Sequence, residues 1–270
     1  MFKKVKCNHC ENQYDETFNE CPNCHKPNGK LDPEFKHIQM MTFGKQLGLF
    51  FVGLLGLDVL VYLFSLIFLA AGLLSQDEVF INMLLNTIVY GVLFVVLFAI
   101  VNVDIKKLLK SFKKWQPYVA GVCCFIAIIS FSIIYGIILQ LLHVDFGNSE
   151  NQDLIEKTTN GYPFTAFIIF AFIGPICEEL TYRVGLFSFL KRISKWLAYP
   201  VAIIVFTLIH ISFKPDIIVN ELINLPVYLF GGFALTITYD KFGFAGSLVA
   251  HVLNNVFSFI PAFVVLGVII

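Results

Sequence analysis

The sequence predicts an all-α polytopic membrane protein: about seven to eight transmembrane helices around an intramembrane polar cavity, behind a small cysteine-bearing head. Three observations carry that prediction. Hydrophobic residues make up 57% of the chain and charged residues only 14%, with a mean hydropathy of +0.78. That is more apolar surface than a soluble core of this length needs. Apolar segments near the ~20 residues required to span a bilayer recur along the chain. The few polar groups inside the later segments fall at a common depth. The zero net charge offers no basic face for nucleic acid, so none is expected as a partner.

Residues 1–33 are polar and read as a zinc-ribbon-like head. The knuckles "CNHC" and "CPNC" bring Cys7, Cys10, Cys21 and Cys24, which would supply four thiolates to one structural zinc. A module this small has almost no core, so a metal would have to hold it folded. His9 and His25 beside the knuckles are spare ligands. Residues 34–46 form a basic linker and 47–270 the transmembrane domain. The first apolar stretch starts only after about forty polar residues, so no cleavable secretion signal is expected.

The expected spans are Leu47–Leu74, Val79–Val101, Tyr118–Leu142, Tyr162–Leu190, Leu197–Phe213, Ile217–Tyr239 and Phe244–Ile270. Pro261 offers a break that would divide the last into two. Cys123, Cys124 and Cys177 lie in apolar stretches and read as small buried hydrophobes. No internal repeat is visible. The loops alternate in charge: "SQDE" and His143–Gly161 are acidic, "DIKKLLKSFKKW" and "KRISKW" basic. The positive-inside rule puts the basic loops and the N-terminus in the cytoplasm and makes the chain a multi-pass cell-membrane protein. A thiolate zinc site needs that reducing side. Lys106–Lys114 also has the makings of an amphipathic stretch on anionic lipid, although an ordinary cytoplasmic loop is the plainer reading.

Glu178, Glu179 and Arg183; His210; Asp240; and His251, Asn254 and Asn255 interrupt the apolar pattern of the C-terminal half. At 1.5 Å per residue, Glu178 lies about 20 Å from Lys191 and His210 about 22 Å from Lys195. His251 lies about 15 Å and Asn255 about 21 Å from Lys241. Three segments thus place polar groups at similar depth, the pattern of one buried site. Glu179 and Arg183 are spaced i, i+4, as an ion pair requires, and a structural pair is the plainer reading of them. His251 and Asn255 share that spacing. Phe206 sits one turn before His210 and would wall it. Pro175 frees a helix carbonyl near the glutamates. Cys177 reads as packing, and Asn254 as facing another helix or headgroups. Glutamate beside histidine can deprotonate water, and histidine with asparagine can stabilise an oxyanion. The same residues could hold a divalent metal.

"EELTYR", "FTLIH" and "HVLNN" fit Glu-Glu-x-x-x-Arg, Phe-x-x-x-His and His-x-x-x-Asn. In that order they resemble the CPBP family, the CAAX proteases and bacteriocin-processing enzymes also called the Abi family, over about residues 162–259. The resemblance implies a helical bundle around a cavity open toward the cytoplasm. It implies that Glu178 and His210 activate water, that His251 and Asn255 form an oxyanion hole, and that Glu179 and Arg183 support them. It implies an intramembrane endopeptidase acting on a membrane-associated peptide or protein, in peptide maturation or bacteriocin self-immunity, with a catalytic metal undecided. Two other classes use buried Glu and His: a proton-coupled transporter, against which the missing repeat counts, and a membrane scaffold or immunity protein.

Overall fold

The computed structural model describes residues 4–7, 9–15, 18, 21–25 and 41–265. Most of the expected linker, with Lys36, and the end of the head, with Lys26 and Lys30, lie outside the described residues. In the head, strands β1 (Lys4–Lys6) and β2 (Gln13–Asp15) pair antiparallel with Val5 opposite Tyr14. Tyr14, Cys7 and Cys21 are its buried side chains.

The remainder is helical. Helix α1 (Phe43–Ala70) starts at Thr42, whose hydroxyl caps the Lys45 N–H. Helix α2 (Glu78–Val101) starts at Asp77, which accepts from the Phe80 N–H at 2.9 Å. Each of these side chains satisfies an otherwise orphaned first-turn donor. Helix α3 (Gln116–Leu141) carries Pro117 in its first turn, where a missing N–H costs nothing. Helix α4 (Glu150–Gly161), capped by Ser149, is polar and lies within the acidic loop. Helix α5 spans Pro163–Lys191. Helix α6 is Lys195–Leu208. The helical run Ile218–Val265 is divided at Gly243 (φ 75°, ψ −169°), giving α7 (218–242) and α8 (244–265). Only glycine adopts that backbone readily. The Ser111 hydroxyl accepts from the Ala245 N–H just beyond it, supplying α8 with a cap from another loop.

Each expected apolar segment is therefore helical. By length and composition, five helices among the described residues can cross a membrane, with α7 and α8 counted as one. The helix runs through Pro261 to Val265, so the break considered there does not occur. The segment expected over Leu197–Phe213 is shorter than its hydropathy suggested. α6 has 14 residues, and the chain turns at Ile209–His210. Non-helical backbone inside a bilayer survives only where it is buried or lines a wet cavity, and His210 occupies such a place.

Helix α5 is the centre of the bundle. Half of its most apolar window is buried, against 11–22% for α1–α3. α1 and α2 pack on one side of it, α6 and the α7–α8 pair on the other, and α3 lies against α7–α8. α1 approaches closely because position 53 is glycine: a Cβ there would lie 1.9 Å from Thr181 Oγ1. At the basic end the bundle is plugged by Phe187, Leu190 and Tyr239. There Asp240 pairs with Lys191 and accepts from Tyr199 OH at 2.6 Å. Asp240 thus belongs to a structural pair and not to the polar site at mid-depth. Cys124 and Cys177 are buried as expected, but Cys123 is exposed on α3.

Candidate active site

The local fold of α5 sets the geometry. Its helix widens into π-type turns over Ile169–Ile173 and Glu179–Phe187. The Gly174 N–H reaches back to Ile169 O, and Pro175 has no N–H to offer. The Phe170 carbonyl is left over, and Asn255 Nδ2 donates to it at 2.9 Å. The freed carbonyl expected from Pro175 is thus what anchors α8 to α5. Wide turns of this kind are frequent at functional sites.

Three side chains converge beside this anchor. Glu178 Oε2 lies 3.6 Å from His251 Nε2 and 3.8 Å from His210 Nε2, and it has no hydrogen-bond partner among the described residues. Both rings are turned the same way by their other nitrogen. His210 Nδ1 lies 2.7 Å from Phe206 O, a carbonyl exposed where α6 ends. A carbonyl only accepts, so that nitrogen carries the proton and Nε2 offers a lone pair. His251 Nδ1 lies 3.0 Å from Glu179 Oε1, which enforces the same tautomer in the neutral ring. Phe206 lies tilted against His210 with ring centroids 4.7 Å apart, as its spacing suggested. Tyr228 covers the opposite face at 5.0 Å, held by a 2.6 Å hydrogen bond to Ser149.

Glu179 and Arg183 lie 3.4 Å apart and are 0% and 1% exposed. The Arg183 guanidinium rests 4.0 Å above the Phe206 ring, which adds a cation–π contact. Glu179 therefore ties the ion pair to His251. Asn254 lines the cavity and donates to Asn255 Oδ1 at 3.4 Å.

Glu178, His210, His251, Asn254 and Asn255 line a cavity of about 560 Å³. Its wall runs from Glu178, His210, His251 and Asn255 to Asn148, Ser149, Asn151 and Gln152 of the acidic loop and includes no residue of the basic loops. It reaches toward the acidic end because Phe187, Leu190 and Tyr239 fill the basic end. The lining residues that escaped the sequence reading include Asp58 of α1, Asn86 of α2 and Tyr228 of α7. Asp58 had a signal, an acid within an apolar span, but it lies outside the C-terminal half in which the polar groups cluster.

A single ion bound at about 2.1 Å by three donors needs them about 3.4 Å apart. Glu178 approaches that distance to each histidine. The three donors do not close as a set, however: among the described residues only the four cysteines come together within 4.8 Å. The polar site therefore does not fit a three-ligand metal, whereas the head does. Cys7–Cys24 and Cys10–Cys21 sulfurs stand 3.6 and 3.4 Å apart, too far for a disulfide and near the edge of about 3.8 Å of a zinc–thiolate tetrahedron. Hydrogen bonds from the Asn12 backbone and the Asn23 side chain lower the Cys10 thiol to about 6. His9 and His25 stand outside the group.

Residues 160–257 match the family model described as Type II CAAX prenyl endopeptidase Rce1-like. An uncharacterized protein of Mycoplasma capricolum subsp. capricolum is 25% identical over 189 residues, 66% of this chain and 54% of that protein. The UPF0177 protein YvdC of Lactococcus lactis subsp. lactis is 26% identical over 152 residues, 56% of this chain and 55% of that protein. The chain spans about half the length of the curated relatives it matches. No solved structure matches it. The resemblance carried by the three motifs is thus borne out: residues 160–257 of this helical chain are similar to the Rce1-like family.

Proposed function

We propose that this chain is an intramembrane endopeptidase in which Glu178 and His210 activate water, while His251 and Asn255 receive the oxyanion. The observation that carries the reading is the unpartnered Glu178 carboxylate between two inward-facing Nε2 atoms, 3.6 and 3.8 Å away. Those separations suit one shared water better than direct hydrogen bonds. Glu178 takes a proton from that water as its oxygen attacks the peptide carbonyl carbon. The carbonyl electron pair moves to oxygen. The second Asn255 N–H and a protonated His251 Nε2, its charge balanced by Glu179, donate to that oxygen. Collapse breaks the C–N bond, and the amine leaves with the proton from Glu178.

The substrate would be a membrane-associated peptide or protein segment. With the N-terminus in the cytoplasm and the chain in the cell membrane, the cavity receives it from the opposite side. This suits maturation of an exported peptide or self-protection against one. The head would hold one structural zinc through Cys7, Cys10, Cys21 and Cys24. Purified protein in detergent, incubated with a peptide library, tests the reading. Wild type should cleave and Glu178→Ala should not; cleavage by neither would favour the scaffold or transporter reading.

A further inference from the structure

Asp58 is a further intramembrane carboxylate, on a helix that the motifs do not include. It lies 13 residues beyond Lys45, about 20 Å along α1, the depth at which Glu178 stands from Lys191. With Gly53, Leu54 and Leu57 it forms the face of α1 that lines the cavity. A carboxylate at such depth costs roughly 3 kcal/mol and normally has a partner. Asp58 has no hydrogen bond or ion pair among the described residues. The cavity wall holds Asp58 and Glu178 but no lysine or arginine. Arg183, the cation at that depth, is 1% exposed, committed to Glu179 and Phe206, and absent from the wall. The remaining polar wall is amide-rich, with Asn86, Asn151, Gln152 and Asn224, groups suited to a peptide backbone. The loops at the cavity's acidic end carry seven Asp and Glu against Lys157 and Lys214, and Lys214 is already paired with Glu150.

We infer that Asp58 is a specificity-determining residue: it receives a cationic group of the substrate, so the preferred peptide places a lysine or arginine, or a free α-amino group, in the cavity beside the scissile bond. The inference rests on the peptidase reading for the role of the cavity, but its test is binding and needs no turnover.

The experiment uses the full chain carrying Glu178→Gln, purified in detergent. The probes are fluorescein-labelled twelve-residue peptides that differ at one central position, Lys, Arg, Gln or Glu, each N-acetylated. A free-amine version of the Gln peptide separates a side-chain cation from an α-amino group. A charge-assisted contact should make the Lys or Arg peptide, or the free-amine peptide, bind about 10- to 100-fold more tightly than the acetylated Gln peptide. Adding Asp58→Asn should reduce that preference to within about twofold, Asp58→Glu should keep it, and Asp58→Lys should favour the Glu peptide. A cationic preference that survives Asp58→Asn, or no preference with Asp58 present, overturns the proposal. Melting in detergent confirms that each variant is folded. If Asp58→Asn does not fold, the Asp58→Glu and Asp58→Lys pair decides. Wild-type cleavage without these binding differences would sink this inference and leave the peptidase reading standing. Binding differences without cleavage would do the reverse.

Discussion

Replacing Glu179 by glutamine removes one charge and disturbs two contacts. Glu179 Oε1 lies 3.4 Å from Arg183 Nη1 and 3.0 Å from His251 Nδ1, and neither charged side chain is more than 1% exposed. Glutamine leaves Arg183 as an uncompensated buried cation with only the Phe206 ring against it. Breaking a buried pair in this way costs about 3–5 kcal/mol. At 2–4 °C per kcal/mol for a domain of this size, melting in detergent should fall by roughly 6–20 °C. The catalytic effect is separable. A neutral amide can still accept from His251 Nδ1, but it no longer stabilises an imidazolium, so turnover should fall by about 10- to 100-fold. Glu179→Gln combined with Arg183→Met removes both charges and should recover most of the melting loss, while turnover stays low. The assay pairs melting with single-turnover cleavage for the two variants. Wild-type melting in Glu179→Gln would refute the structural part of this reasoning, and full turnover in the double variant would refute the positioning part.

Other expectations follow from the same coordinates. Gly53→Ala should lower stability by about 1–3 kcal/mol by forcing α1 off Thr181, and Thr181→Ala in the same chain should restore part of it; an unchanged melting point contradicts the close approach. Asp104 accepts from Lys45 and Lys107, both at 2.7 Å; burial pushes its carboxyl up, but the two lysines outweigh this and hold it below its ordinary value. A depressed carboxyl adds stability above its ordinary range and loses it as pH falls through the folded value. The melting deficit of Asp104→Asn should therefore be present at pH 7 and close below about pH 4, whereas a pH-independent deficit would contradict the pair. Purified protein should carry one zinc, lost in Cys21→Ser/Cys24→Ser, and that variant should cleave its substrate with or without chelator; chelator-sensitive cleavage would mean a catalytic metal. A cysteine at Asn148 should react with an impermeant thiol reagent in intact cells and one at Lys110 should not, after replacement of the native cysteines; the reverse pattern turns the topology over.

The helical fold was legible because a bilayer leaves a chain few choices. Apolar length announces a span whatever the helix then does. Counting residues from lysine anchors brought Glu178, His210 and His251 to one depth, and the structure brings them within 3.8 Å of the shared carboxylate. Counting fails where backbone geometry changes. It took α6 to Phe213, whereas the helix stops at Leu208 so that its last-turn carbonyl can bind His210. It could not show the π-type turns of α5, which depend on packing around Pro175 as much as on the proline itself. Tyr228 carried no signal, since an aromatic in an apolar span is ordinary. The direction in which the cavity opens depends on which end of the bundle the large side chains fill, which loop charge does not report.

The central claim is that Glu178 is the base. Single-turnover cleavage of an identified peptide substrate by Glu178→Gln in detergent, with melting run alongside, tests it most directly. The variant is isosteric and keeps the cavity, so it should fold as the wild type does while the chemical step slows by at least about 10²-fold. Turnover near the wild-type rate in a folded Glu178→Gln protein would contradict the account.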